Sequence, residues 1–181
     1  MTGAPDKAQE FLTHRGLYRE VLTFRGGTAF TCPLSLGTEG YFLGGNMDVK
    51  KLATEYHEKG FNCAQSVLCS CGEYTGLDEK TALAVSGGFG GGLRCGEICG
   101  AVSGAVMAAG LCCQYVDNTD LETKAKIAEL AKYITGEFKE EYGVLRCVDL
   151  KKAGKPCAEL IEYCAALTEK TINEIRTGEK K

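Results

Sequence analysis

The sequence predicts an all-α fold, a single-domain bundle of about five to six helices around a small-residue central helix. Three observations lead there. From Asp48 onward apolar residues recur every three or four positions, capping and stopping residues bracket each run, and no segment alternates with period two. A bundle is the layer architecture that buries such stripes.

The first helix follows from Val49, Leu52, Ala53 and Tyr56, and His57 to Gly60 ends it. Asn62 caps a second, in which Cys63, Val67 and Cys71 share a face widened by Ala64 and Leu68, up to the stop at Thr75-Gly76. Asp78 caps a third, with Ala82, Leu83 and Val85 inward, ending in the glycines between Gly87 and Gly92. The fourth begins near Arg94 to Gly96 and runs to about Cys112. Its Gly96, Gly100, Gly104 and Ala108, spaced by four, make a flat stripe for close helix approach. Thr119 and Glu122 fit a capping box for the fifth, whose face is Ile127, Leu130, Ala131, Ile134 and Phe138, and Gly143 stops it. After a loop holding Cys147, Pro156 suits a first helical position. Cys157, Leu160, Ile161, Cys164, Leu167, Ile172 and Ile175 then line the last helix.

Residues 1–46 differ: Gly26-Gly27, Pro33, Gly37, Gly40 and Gly44-Gly45 interrupt any helical period. The expectation is a poorly patterned extension, read in frame upstream of a true start at Met47, or an ordinary flexible segment, followed by a helical cysteine-rich redox domain over 47–181.

A net charge of −3 with interspersed signs argues against nucleic-acid binding. Asp6, Glu10, Arg15 and Glu20 interrupt any signal-peptide pattern, so the expected location is the cytoplasm, where dense cysteines serve as ligands, redox groups or packing. The uncharged stretch Ile98 to Val116 is rich in small residues and fits a buried helix better than a membrane span, so no membrane insertion is expected.

Ten of the eleven cysteines lie between Cys63 and Cys164, which makes sulfur chemistry the leading functional idea. Cys95 and Cys99, four apart, would share a helix face, and a helix start would activate either thiol. Glu97 reads as a first-turn residue. Cys69-x-Cys71 and Cys112-Cys113 read as packing. No C-x-x-C is present, and no cysteine precedes a histidine as covalent haem attachment requires. The glycines of 87–92 do not spell a dinucleotide fingerprint; they let the backbone approach a ligand or a neighbouring helix. His14 and His57 are isolated.

Gly90-Gly91-Gly92, Gly96-Glu97 and Cys99-Gly100-Ala101-Val102-Ser103-Gly104, together with Gly60 to Leu68 around Cys63, resemble the signature blocks of the C_GCAxxG_C_C family of redox-active proteins. The similarity spans about Asp48 to Ile175. It implies an all-helical protein whose recurrent cysteines fall on Cys63, Cys99, Cys147 and Cys157, with a redox role inferred from those cysteines. The expected site is these four thiols converging, as reacting groups or as ligands of an iron–sulfur cluster or other thiophilic metal, with Gly90, Gly91, Gly92 and Gly100 at the cofactor. A redox partner protein is expected to serve it. The rival readings are a metal-binding or regulatory helper of a transporter, and a helical interaction protein that forms a homodimer through the small-residue stripe.

Overall fold

The computed structural model describes residues 48–177, so the boundary expected at Met47, together with His14 and Cys32, lies outside the described residues. Among these residues the chain forms eight α-helices: α1 Val49–Glu58, α2 Cys63–Ser70, α3 Gly72–Thr75, α4 Glu79–Ser86, α5 Gly100–Cys113, α6 Leu121–Tyr142, α7 Cys147–Lys152 and α8 Cys157–Thr177. A 3₁₀ turn, Gly87–Phe89, and a wide turn, Gly92–Gly96, join α4 to α5. The all-α prediction holds, and the two helices beyond the six expected are the short α3 and α7.

Local chemistry explains most boundaries. The Asp48 carboxylate accepts the Lys51 amide at the start of α1, and Asp78 accepts the Thr81 amide at α4. Asn62 and Gln65 form a reciprocal capping box on α2. At α6 the cap is Asp120, which accepts the Thr123 amide at 2.9 Å, rather than Thr119. Thr119 is held in the preceding turn, where Asp117 accepts both its amide and its hydroxyl at 2.8 Å.

The largest departure from expectation concerns α5, which starts at Gly100 and not near residue 95. Leu93 and Arg94 take left-handed backbone angles, φ +56° and +60°, between the left-handed Gly92 and Gly96. The chain then runs extended through Ile98, which pairs antiparallel with Arg146. Cys95 and Cys99 therefore do not share a helix face, and Gly96 leaves the small-residue stripe to pack on Val148 instead. Val85 also departs from expectation. It is 53% exposed, because α4 buries only the narrow line through Ala82 and Ser86.

Helix α5 is the centre of the bundle and packs against α2, α6 and α8, while α1 lies across α2 and α8. Ala101, Val102, Ala105, Ala108, Ala109 and Cys112 on it are each no more than 2% exposed. Its lack of charge reflects burial on several sides; among the described residues no helix is long and apolar enough to cross a membrane. A Cβ at Gly104 would lie 2.7 Å from the Ala64 carbonyl oxygen and 3.1 Å from Val67 Cβ, so the missing side chain sets the α2–α5 spacing. Buried hydroxyls return to carbonyls of their own helices, as Ser66 does to Asn62 and Thr171 to Leu167. No buried side-chain nitrogen or oxygen among the described residues lacks a partner.

Two stability predictions follow from this packing. Gly104→Ala should lower the urea-unfolding free energy by about 1–3 kcal/mol through overpacking. Gly110→Ala, on the same helix with nothing within 4 Å, should leave it unchanged or raise it by up to about 1 kcal/mol. Equal effects of the two would refute the close-approach account. Asp120→Ala should cost about 1 kcal/mol of stability, against less than about 0.5 kcal/mol for Thr119→Ala; the reverse order would put the α6 cap back on Thr119.

Candidate functional site

All four cysteines singled out from the sequence stand at helix starts. Cys63, Cys147 and Cys157 are the first residues of α2, α7 and α8, and Cys99 is the residue immediately before α5. A helix start presents unpaired amides and the positive end of the helix dipole, which favour a thiolate. Burial opposes this at Cys99 and Cys147, which are 2% and 6% exposed; Cys63 is 8% exposed and Cys157 is partly exposed.

At Cys99 the competition has a clear winner. Desolvation pushes its thiol up to about 12, outweighing the amides of Ala101 and Val102, which pull it down. Cys63 and Cys147 add to the rise as neighbouring thiols. Burial also raises Cys147; Lys151 counters it, while Cys63 and Cys157 reinforce it. Cys164 is raised well above its ordinary value, first by burial and then by Cys99 and Cys63. These mutual influences join Cys63, Cys99, Cys147, Cys157 and Cys164 into one electrostatically coupled group.

Backbone pairing joins the segments that carry two of these cysteines across a long sequence gap. The Cys99 amide donates to the Leu145 carbonyl at 2.8 Å and the Cys147 amide to the Glu97 carbonyl at 2.6 Å, either side of the Ile98–Arg146 bridge. The two cysteines are buried while Ile98 and Arg146 stay at the surface. Outside, the Arg146 guanidinium forks onto Glu97 with contacts of 3.2 and 3.0 Å and reaches Asp149 at 3.4 Å. Both partners of the fork are about half exposed, so its contribution is chiefly to alignment. Glu97 is thus not a first-turn helix residue.

Three of the four glycines expected at a cofactor have close protein neighbours. A Cβ at Gly100 would sit 2.5 Å from Cys63 Sγ, and one at Gly92 would sit 2.8 Å from Cys147 Cβ and 2.6 Å from the Glu97 carbonyl oxygen. At Gly90 it would meet the Asn62 side chain at 2.5 Å, whereas Gly91 meets nothing within 4 Å and is set apart by its φ of +63°. Gly92 and Gly100 therefore make room for the cysteines themselves. Asn62 is the positioning residue that sequence reading registered only as a cap. Its amide nitrogen also donates to the Gly87 carbonyl at 3.0 Å, and Gln65 reaches the Leu83 carbonyl at 2.9 Å, which fastens the glycine loop to the start of α2. The capping pattern was the available signal; the distant acceptors gave none.

The remaining cysteines lie apart from this group. Cys95 is exposed, its thiol directed to the Gly92 carbonyl at 3.3 Å. Cys69, Cys71 and Cys112 are buried beside the ends of α2 and α5; desolvation pushes Cys71 up to about 12, and Cys112 donates to the Tyr74 carbonyl at 3.5 Å. His57 stays at the end of α1, with Nδ1 3.3 Å from the Phe61 carbonyl oxygen. Cys63, Cys69, Cys71, Cys95, Cys99, Cys147, Cys157 and Cys164 are in the thiol form. Among the described residues no group of three or more His, Cys, Asp or Glu side chains is arranged to hold a metal ion. Three or four donors around one point, as a single bound metal ion needs, are thus not assembled among the described residues.

Comparison with curated proteins gives no match, and comparison with solved structures gives none. The family described as "Putative redox-active protein (C_GCAxxG_C_C)" matches residues 61–176, which takes in Cys63, Cys99, Cys147 and Cys157 and well over half of the chain; the chain belongs to that family.

Proposed function

We propose that this chain is a dithiol/disulfide protein that gives electrons to a disulfide-bearing redox partner through Cys63, Cys99, Cys147 and Cys157. What supports the reading is the placement of all four family cysteines at helix starts, with Cys99 and Cys147 flanking one backbone bridge. Cys157, the most exposed of the four, attacks a sulfur of the partner disulfide. A mixed disulfide forms and one partner thiolate leaves, taking up a proton. Cys147 then attacks the Cys157 sulfur, releasing the second partner thiol. Two cysteine thiols and one partner disulfide become one Cys147–Cys157 disulfide and two partner thiols, a transfer of two electrons.

The electrostatics favour donation. A site that stabilises its thiolate stabilises the reduced form and makes an oxidant, whereas this one resists thiolate at Cys99 and Cys147. Equilibration with glutathione buffers at pH 7, read as mass shifts after alkylation, should show a two-thiol step at a potential more negative than about −230 mV. Its absence, or stoichiometric iron and sulfide in anaerobically purified protein, would overturn the reading in favour of a structural or cluster role.

The raised thiols also set a dependence of stability on pH. Cys71 and Cys99 keep their protons up to about 12 in the folded chain, against an ordinary value of 9.0. Between those values the unfolded chain binds fewer protons, so the stability they contribute is full below pH 9 and is lost as pH rises towards 12. Urea midpoints should be level from pH 7 to 8.5, fall above pH 9, and fall less steeply in Cys71→Ala. A midpoint that stays constant to pH 11 would contradict the assigned burial.

A further inference from the structure

The stretch that links Cys147 to Cys157 is basic in an acidic chain. Arg146 to Lys155 holds four basic side chains and one acidic one, whereas the whole chain carries a net charge of −3. Two of those four cations are engaged by carboxylates: Arg146 holds Glu97 and Asp149, and Lys155 reaches Glu159 at 3.6 Å. Lys151 and Lys152 are exposed, and among the described residues neither has a carboxylate in ion-pair contact.

The backbone sets these two lysines between the cysteines. Lys151 follows Cys147 by four residues on α7, so both rise from one face of that helix, a turn apart. The helix then closes on left-handed Gly154: the Gly154 amide donates to the Lys151 carbonyl and the Lys155 amide to the Leu150 carbonyl, both at 3.0 Å. Those bonds turn the chain back over the end of α7, and α8 begins two residues after Lys155 with the partly exposed Cys157. Lys151 also acts electrostatically on the Cys147 thiol. Next to Arg146 in the paired segments, Ile98 and Val144 are each more than a third exposed, which gives apolar surface for a protein partner to cover.

We propose that Lys151 and Lys152 select the redox partner, drawing in a protein whose disulfide is flanked by carboxylates and disfavouring one flanked by ammonium groups; this rests on the thiol-exchange reading above. Their part is electrostatic and confined to approach. The exchange remains the one already written, two thiols at Cys147 and Cys157 for one partner disulfide, and neither lysine gives or takes a proton in it. Flexible ammonium groups suit this part, because they follow carboxylates on a surface whose shape they need not match. Unpaired charges at the rim of a contact govern encounter rate and choice of partner more than affinity.

The test follows oxidation of the reduced full chain at pH 7 by disulfide-linked dimers of three capped pentapeptides, Glu-Val-Cys-Val-Glu, Gln-Val-Cys-Val-Gln and Lys-Val-Cys-Val-Lys, read as loss of two thiols by mass after alkylation. At low salt the glutamate peptide should react fastest. Its advantage over the lysine peptide should fall at least about tenfold when Lys151→Glu and Lys152→Glu are combined. Sodium chloride at about 0.5 M should remove most of the advantage in the unsubstituted chain. The glutamine peptide should react with both chains at rates within about twofold, because it carries no charge for the lysines to act on. An advantage unchanged by the substitutions and by salt overturns the proposal and leaves the thiol-exchange reading standing. If none of the three peptides removes two thiols, that reading fails and the proposal with it. Glutathione disulfide is the small anionic control: if it reacts faster than the glutamate peptide, with an equal loss on charge reversal, a small disulfide is the substrate and the protein partner is overturned. The salt dependence of the unsubstituted chain decides the matter if the double variant does not fold.

Discussion

The structure depends on a contact made by two absent side chains. Gly100 and Gly104 lie one turn apart on α5, and at both a Cβ would collide with α2: with Cys63 Sγ at 2.5 Å and with the Ala64 carbonyl at 2.7 Å. Without them α2 would stand off, the apolar contacts of Val67 and Leu68 with α5 would loosen, and Cys63 would be withdrawn from Cys99. The spacing Cys-Gly-Ala-x-x-Gly is therefore a packing code as much as a chemical one. Its cysteine begins the helix, and its two glycines admit the neighbouring helix that carries the next thiol.

From that contact outward, the site is held by backbone rather than by side-chain networks. Asn62 fastens the glycine loop to the start of α2, and the Ile98–Arg146 pairing fastens the segment before α5 to the segment before α7. Each device fixes a helix start, and each fixed start delivers a cysteine. This explains why the thiols can be buried and yet ordered relative to one another, although helix ends are ordinarily the least constrained parts of a helix. The left-handed residues Leu93 and Arg94 belong to the same construction: the chain must reverse within a few residues to enter the pairing with Arg146.

What the sequence revealed and what it concealed divide along the range of the interactions. The caps Asn62 and Asp78 and the buried face of α8 were legible because each depends on residues within a few positions. The start of α5 was misread because its small residues continue the four-residue spacing back to Gly96, while the force that breaks the helix is a pairing with residues 145–147, nearly fifty positions away. Helix α7 was missed because six residues carry too little periodicity. The four cysteines were picked out by their pattern, but their shared placement at helix starts is visible only in three dimensions. Cys164 was legible as a core residue of α8, and the structure buries it fully.

The balance between burial and helix amides decides which chemistry this arrangement can sustain. A neutral thiol is a small hydrophobe and costs little to bury, whereas a thiolate in the same place loses its hydration. At Cys99 two amides that favour the thiolate are outweighed by that loss, so the resting form at neutral pH is the thiol. A disulfide has no proton to lose and no charge to solvate, so burial does not oppose the oxidised pair on electrostatic grounds. The charged form is then needed only in passing, while one sulfur attacks the next, and the amides at the helix start are placed where that brief charge falls. Such a site disfavours permanent thiolates yet tolerates transient ones, and this is the electrostatic condition for thiol–disulfide exchange at a buried cysteine.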